Sequence, residues 1–266
     1  MTRSDPRAPA ADRFPAGTFS PDPAPARPSQ MLAAQSRLEL TLLLRNGEQL
    51  LITLLIPITL LIGLTELPVV DLPSPRISSV VPGILALAVM STAFTGQAIA
   101  VGFDRRYGAL KRLGATALPR WGVLGGKTVA VVAVVALQAV VLGTIGLALG
   151  WRPDVAGLAL GAGVLVVGTF CFGALGLLLG GALKAEVVLA LANIIWFVLL
   201  GLGGVVVPLD RLSGQTEAVA KLLPSGALTG ALRAALDGGV NLTALVVLLV
   251  WGTVAAVLAT RTFKFT

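Results

Sequence analysis

The chain has 266 residues, of which 56% are hydrophobic and only 12% are charged, and its formal net charge is +7. Soluble domains of average composition carry about 25% charged residues, so this composition excludes an ordinary water-soluble globule and favours a lipid bilayer. The chain contains no histidine and a single cysteine, Cys171. These counts exclude imidazole catalysis, most zinc sites and an intrachain disulfide, and we expect no metal site.

The first 30 residues are rich in proline, alanine and arginine and hold few side chains that could build a core. No apolar run follows the early arginines, so a secretory signal is not expected. We predict a disordered cytoplasmic tail over residues 1–30 and a transmembrane domain over residues 31–266.

Residues 31–49 mix leucines with charged and amide side chains at helical spacing. Such a pattern predicts a helix that lies along the membrane surface before the chain enters the bilayer. The alternative is that this segment is only the polar beginning of the first span.

Six apolar stretches follow, and a helix needs about 20 apolar residues to cross a hydrocarbon core of ~30 Å. The predicted spans are residues 50–64, 80–103, 123–149, 155–183, 187–207 and 242–259. The first is short unless it includes upstream leucines. Six spans place both termini on one side, and the sequence predicts an all-α integral membrane protein.

The 20 basic residues are distributed unevenly between the two sides of this topology, with fourteen on the side of the termini and five on the other. Because Lys and Arg favour the cytoplasmic side, we predict that both termini are cytoplasmic. Lys127, near the start of the third span, completes the count. This asymmetry accounts for the net charge without a nucleic-acid partner.

The fourth predicted span carries glycines at helical spacing. Gly157 and Gly161 are four residues apart, and so are Gly176 and Gly180. This spacing lets helix backbones approach closely in lipid, so we predict that the fourth span is central to packing.

The string from Gly125 to Thr128 reads Gly-Gly-Lys-Thr, like the end of a phosphate-binding P-loop. The full pattern requires a glycine where Trp121 stands, and no strand precedes it. We therefore predict no nucleotide site and no enzyme in this chain. We expect Lys127 to extend its ammonium toward the membrane boundary instead.

The segment between the second and third spans is basic and amphipathic. Tyr107, Leu110 and Leu113 are spaced for one face of a short helix that Pro119 ends. A partner protein could bind this face. The alternative is a solvated loop that only sets the orientation of the chain.

The same segment resembles the permease subunits of ABC-2-type transporters, which include bacterial drug exporters of the daunorubicin-resistance type and polysaccharide exporters. The matching positions are Asp104, Arg105, Arg106, Gly108, Leu110, Arg112, Leu113, Pro119, Gly126 and Lys127. Asp104 stands where glutamate is commoner in that family. The six-span layout fits as well, so the resemblance extends from residue 31 to the end of the chain.

The resemblance implies a coupling helix that docks on a separate cytoplasmic ATPase. Tyr107, Leu110 and Leu113 would form the docking face, and the Leu110→Asp change is expected to uncouple ATP hydrolysis from transport. The arginines would engage acidic groups of the ATPase. The residues assigned to coupling are Asp104, Arg105, Arg106, Tyr107, Gly108, Leu110, Arg112 and Leu113.

The resemblance also implies the partners and the location. This chain would bind no cofactor itself, while ATP and Mg would bind to two ATPase subunits. A second permease subunit, identical or related, would complete the transporter. The location would be the bacterial cytoplasmic membrane.

Residues 208–240 carry helix-like apolar stripes broken by Pro224 and Gly226. The pattern predicts two short helices that re-enter the outer membrane surface, and the family carries such a hairpin before its last span. The alternative is an amphipathic loop that lies flat on the membrane.

Few polar side chains fall inside the predicted spans, and Gln97, Gln138 and Asn193 are the candidates to line a cavity. Hydrogen bonding between helices is the alternative role for these amides. The scarcity of intramembrane charge favours an apolar or amphipathic substrate, such as a drug, a lipid or a lipid-linked glycan.

The sequence therefore favours the permease of an ATP-driven exporter. A secondary transporter is the main alternative, but it needs ionisable groups that the span centres do not provide. A membrane enzyme or a structural anchor is a third possibility, and an enzyme would need clustered acidic or histidine side chains at the interface.

Overall fold

The computed structural model describes residues 26–67, 72–116, 118–205 and 214–263, and no strand occurs within these ranges. Residues 1–25 of the predicted tail therefore lie outside the described residues, and residues 28–30 belong to the first helix. The α-helices are α1 Pro28–Arg45, α2 Gly47–Glu66, α3 Arg76–Val89, α4 Gln97–Arg106, α5 Ala109–Gly114, α6 Arg120–Ala148, α7 Val155–Ala182, α8 Ala185–Leu202, α9 Gly214–Leu222, α10 Pro224–Leu236 and α11 Leu242–Thr262.

Six helices in the described part are long and apolar enough to cross a membrane. Five of them are α2, α6, α7, α8 and α11, and the sixth is the continuous run Arg76–Arg106. The predicted all-α membrane fold is confirmed. The first span is longer than predicted, because α2 begins at Gly47. The Asn46 side chain accepts a hydrogen bond from the backbone N–H of Gln49 and so caps the N-terminus of α2.

The run Arg76–Arg106 contains a π-helical segment, Met90–Gly96, between α3 and α4. A π-helix has a wider turn than an α-helix, and single π-helical turns inside α-helices are frequent at functional sites. The segment contains Ser91, Thr92 and Thr95, so the wider turn coincides with a polar stretch in an otherwise apolar span.

Helix α7 is the central packing element, as its glycine spacing predicts. A Cβ atom added at Gly157 would lie 2.7 Å from the Leu236 carbonyl oxygen of α10, and one added at Gly180 would lie 2.4 Å from the Ala98 carbonyl oxygen of α4. Only glycine allows such backbone approach. The two glycine pairs therefore bring different neighbours against opposite ends of α7.

Helix α10 packs among α3, α7 and α11. Its Leu228 and Leu232 are fully buried, and Leu228 lies against Gly168 of α7. The preceding helix α9 is more exposed and is joined to α11 by the indole of Trp251, which donates a hydrogen bond to the Leu222 carbonyl at 3.0 Å. Residues 208–213 of the predicted hairpin lie outside the described residues, and its re-entry into the bilayer stays a prediction.

Candidate functional site

A helical hairpin made by the end of α4 and by α5 projects from one end of the helix bundle. Tyr107 ends α4, and Gly108 then turns the chain with a φ of 72°. This left-handed conformation favours glycine, because a side chain would clash with the backbone. Gly108, a predicted coupling residue, is therefore the turn residue that separates α4 from α5. We call residues 103–116 the coupling hairpin, after the role that the family resemblance implies, which stays a prediction.

The coupling hairpin is anchored by an apolar cluster on its inner face. Leu110 is fully buried against residues that include Val101, Val123 and Phe263, and Leu113 packs partly onto this cluster. The predicted docking face therefore needs correction. Leu110 cannot contact a partner, because its side chain fills the space between α4, α6 and α11. We now expect Leu110→Asp to disrupt this packing.

Two arginines attach the coupling hairpin to neighbouring helices. Arg105 donates hydrogen bonds from Nη1 to the carbonyls of Gly180 (3.3 Å) and Leu183 (2.9 Å), at the end of α7 where carbonyl groups lack helical partners. Arg106 forms an exposed ion pair with Glu186 of α8. Both arginines were expected to engage acidic groups of an ATPase. Arg105 instead binds carbonyl groups within the chain, and Arg106 pairs with Glu186 although its side chain stays exposed.

The outer face of the coupling hairpin is basic and aromatic. Tyr107 is 72% exposed and stacks on Phe103, with ring centroids 5.9 Å apart. Lys111 and Arg112 are exposed on α5. We call Tyr107, Lys111 and Arg112 the exposed triad. This surface can contact another protein without disturbing the core of the chain.

A buried ion cluster lies behind the coupling hairpin. The Lys127 ammonium of α6 donates hydrogen bonds to Glu39 Oε2 of α1 at 2.9 Å and to Asp104 Oδ2 of α4 at 2.8 Å. The Lys127 side chain is 7% exposed and that of Glu39 is 10% exposed, whereas that of Asp104 is 36% exposed. Gln35 donates a hydrogen bond to the other Glu39 oxygen at 2.8 Å. We call Lys127, Glu39 and Asp104 the ion cluster.

The ion cluster corrects two expectations. Lys127 does not extend toward the membrane boundary, and its ammonium binds two carboxylates inside the protein. Asp104 faces this lysine, so its carboxylate already has a partner within the chain. The Gly125–Thr128 string lies inside α6, and the lysine of this string is Lys127, which binds the two carboxylates. Glu39 had no assigned role in the sequence, although an acidic group among leucines is a signal of pairing.

A cavity of about 500 Å³ opens between α2, the π-helical segment, α4, α6 and α8. This volume is in the range of sites for drug-sized molecules. Most of its lining is apolar, and Trp196 and Phe197 of α8 contribute aromatic rings. Glu39 and Lys127 line the end nearest the coupling hairpin. The cavity therefore lies within the spans and ends at the ion cluster.

The three amides predicted for a cavity occupy different places. Gln97 and Asn193 line it, and the Gln97 amide nitrogen donates a hydrogen bond to the Gly173 carbonyl at 3.2 Å. Gln138 is buried outside the lining and accepts a hydrogen bond from Thr92 Oγ1 at 2.9 Å. Within the described residues, Gln97 Oε1 and Thr95 Oγ1 are buried without a hydrogen-bond partner. Both residues line the cavity.

The fold and the site define a multi-pass membrane protein with an internal cavity and a basic hairpin exposed at one end. The family model described as ABC-2 type transporter matches residues 31–236, which is most of the chain. The chain therefore belongs to the ABC-2 type transporter family and is the permease component of an ABC-type transporter. No curated protein matches the chain.

Proposed function

We propose that this permease exports an amphipathic or lipophilic molecule, such as a drug, a lipid or a lipid-linked glycan, across the bacterial cytoplasmic membrane. ATP hydrolysis by two separate ATPase subunits, which bind ATP and Mg, supplies the energy. Both termini and the coupling hairpin face the cytoplasm in this proposal. The observation that carries it is the exposed triad on a hairpin that is firmly attached to the spans.

The coupling hairpin is suited to transmit force from an ATPase. Its outer face offers Tyr107 and two cations to a partner, while Leu110 and Arg105 attach its inner face to the ends of α6, α7 and α11. Aromatic and arginine side chains are enriched among residues that dominate protein interfaces. A displacement of the exposed triad would therefore be transmitted to α6, α7 and α11 through packed side chains.

The cavity supports an amphipathic substrate. Its walls are mainly apolar, and the unpartnered oxygens of Thr95 and Gln97 offer neutral hydrogen-bonding groups within the spans. A buried polar atom without a partner is unfavourable in hydrocarbon, so a substrate hydroxyl or amide that supplies the missing bond would be stabilised. The aromatic rings of Trp196 and Phe197 would contact its apolar part.

A second permease subunit would close the open side of this cavity. Phe197 of α8 lines the cavity although it is 65% exposed, and the neighbouring Ile194 is 60% exposed, so the cavity is open along this helix. The same proposal is compatible with a copy of this chain or with a related chain. In either case the substrate path would lie between two permease subunits.

The association with an ATPase is tested by affinity purification from the native host, followed by reconstitution of the purified ATPase with the permease. The wild-type permease should retain an ATPase that has a complete P-loop. The double change Lys111→Glu and Arg112→Glu should weaken this binding about tenfold or more, because it replaces two exposed cations at the contact. The measurement is the dissociation constant of the two purified components in nanodiscs.

The matched control is Lys221→Glu on α9, which removes an exposed cation outside the coupling hairpin. This variant should bind the ATPase as the wild type does. Equal binding by the wild type and the double variant would contradict the docking role of the exposed triad. A permease that purifies alone and moves a lipophilic fluorescent dye into proteoliposomes without ATP would support a secondary transporter.

A further inference from the structure

The ion cluster joins three elements that are distant in the sequence. Glu39 belongs to α1, Asp104 to the coupling hairpin and Lys127 to α6, and one ammonium binds both carboxylates. Exposed ion pairs contribute little to stability, but a buried charge that loses its partner is strongly disfavoured. Burial of Lys127 and Glu39 therefore makes separation of these elements unfavourable.

Helix α1 is attached at this point by polar contacts. Its Gln35 and Glu39 are buried toward α6, whereas its Leu38 and Leu42 are 49% and 57% exposed. A Cβ atom added at Gly126 would lie 2.4 Å from Gln35 Cγ, so α1 lies directly on the α6 backbone beside Lys127. Other leucines of α1 also pack on the bundle, so the ion cluster contributes to the position of α1 and connects it to Asp104.

The ion cluster also lies between the exposed triad and the cavity. Asp104 is on the coupling hairpin, three residues before Tyr107, and Glu39 and Lys127 line the near end of the cavity. Asp104 is the most exposed of the three side chains. A displacement of the coupling hairpin would therefore reach α1 and this end of the cavity through the Asp104 to Lys127 contact.

We propose that Lys127 is a positioning residue that makes α1 move together with the coupling hairpin, so that ATPase docking is linked to the end of the cavity that Glu39 and Lys127 line. This inference rests on the permease function proposed above. It adds a moving element, α1, that does not belong to the docking surface. The link consists of two charged hydrogen bonds that share one ammonium, one to the hairpin and one to α1.

The test uses the complex of the permease with its ATPase in nanodiscs and two pairs of spin labels. One pair of labels is placed at Ala115, at the end of α5, and at Val240, near the opposite end of the bundle. The other joins Leu38 on α1 to the same Val240. All three positions are exposed, so cysteine substitution there should preserve the fold, in a background that carries Cys171→Ala. Distances are measured without nucleotide and with ATP trapped.

In the wild type both distances should change when ATP is trapped. In Asp104→Asn the distance from Ala115 should still change, whereas the change at Leu38 should be lost, because a neutral amide binds the ammonium much more weakly than a carboxylate does. Asp104→Glu keeps the carboxylate and should restore the change at Leu38. The control Glu217→Gln, which removes an acidic group of α9, should behave as the wild type does.

The inference is overturned if Leu38 moves in Asp104→Asn as it does in the wild type. If Asp104→Asn does not assemble, Glu39→Gln breaks the same link from the α1 side, and the same two distances decide. Failure of the proposed function gives a different result. In that case no ATPase is retained, or neither distance changes in the wild type when ATP is trapped.

Discussion

Helices α1 and α10 are not among the six spans, and they are attached to the bundle in different ways. Helix α1 buries Gln35 and Glu39 and turns some of its leucines outward, whereas α10 buries Leu228 and Leu232. Buried charged hydrogen bonds add to apolar contacts in holding the first helix, and close apolar packing holds the second. The ion cluster also joins α1 to the coupling hairpin, so α1 is suited to move with that hairpin and α10 to stay fixed.

The largest expected effect comes from removing the cation that attaches α1. Lys127→Met leaves two carboxylates without their shared partner, and we expect a loss of about 3–5 kcal/mol in the free energy of unfolding. Denaturant titration in mixed micelles measures this loss. The matched change Lys221→Met removes an exposed cation and should cost less than about 1 kcal/mol. Equal losses in the two variants would show that α1 does not depend on the ion cluster.

A smaller effect is expected where α10 meets α7. In Gly157→Ala the new Cβ would lie 2.7 Å from the Leu236 carbonyl oxygen, so the helices must separate at a cost of about 1–3 kcal/mol. The control Gly163→Ala is on the same helix with no atom within 4 Å, and alanine is a better helix former there. Titration in mixed micelles should show the control at least as stable as the wild type. A stable Gly157→Ala variant would contradict close packing of α10.

The smallest effect is expected on the outward face of α1. Leu38→Ala removes a side chain that is 49% exposed, and the free energy of unfolding should fall by less than about 0.5 kcal/mol. Leu232→Ala in α10 is the matched positive control, since it opens a cavity in a fully buried site and should cost about 2 kcal/mol or more. Similar losses in both variants would mean that α1 also depends on its leucines.

The sequence predicted the membrane fold and a short helix between the second and third spans, but it did not show which apolar residues of that helix are exposed. Helical spacing put Tyr107, Leu110 and Leu113 on one face, and the structure exposes the first while it buries the second. Periodicity shows which residues share a face, but the neighbouring helices decide which part of that face they cover. Here α6 and the end of α11 cover Leu110.

The partners of charged groups were also beyond the sequence. Glu39 and Lys127 are 88 residues apart in the chain and form an ion pair. The position of Glu39 among leucines indicates that it needs a partner, but it does not identify Lys127, because the pairing depends on how α1 lies across α6. Likewise Arg105 was assigned to an ATPase, although the free carbonyls at the end of α7 bind it within the chain.

By itself the sequence determined that the chain lies in a bilayer, that it has six spans and that a basic segment separates the second span from the third. These properties depend on composition and on the length of apolar runs, which are local. Only the tertiary structure decided which apolar side chains pack inside and which face lipid, because both environments are apolar and hydrophobicity does not distinguish them. It also decided that the few buried charges meet in one cluster, where each obtains a partner that its own helix does not offer.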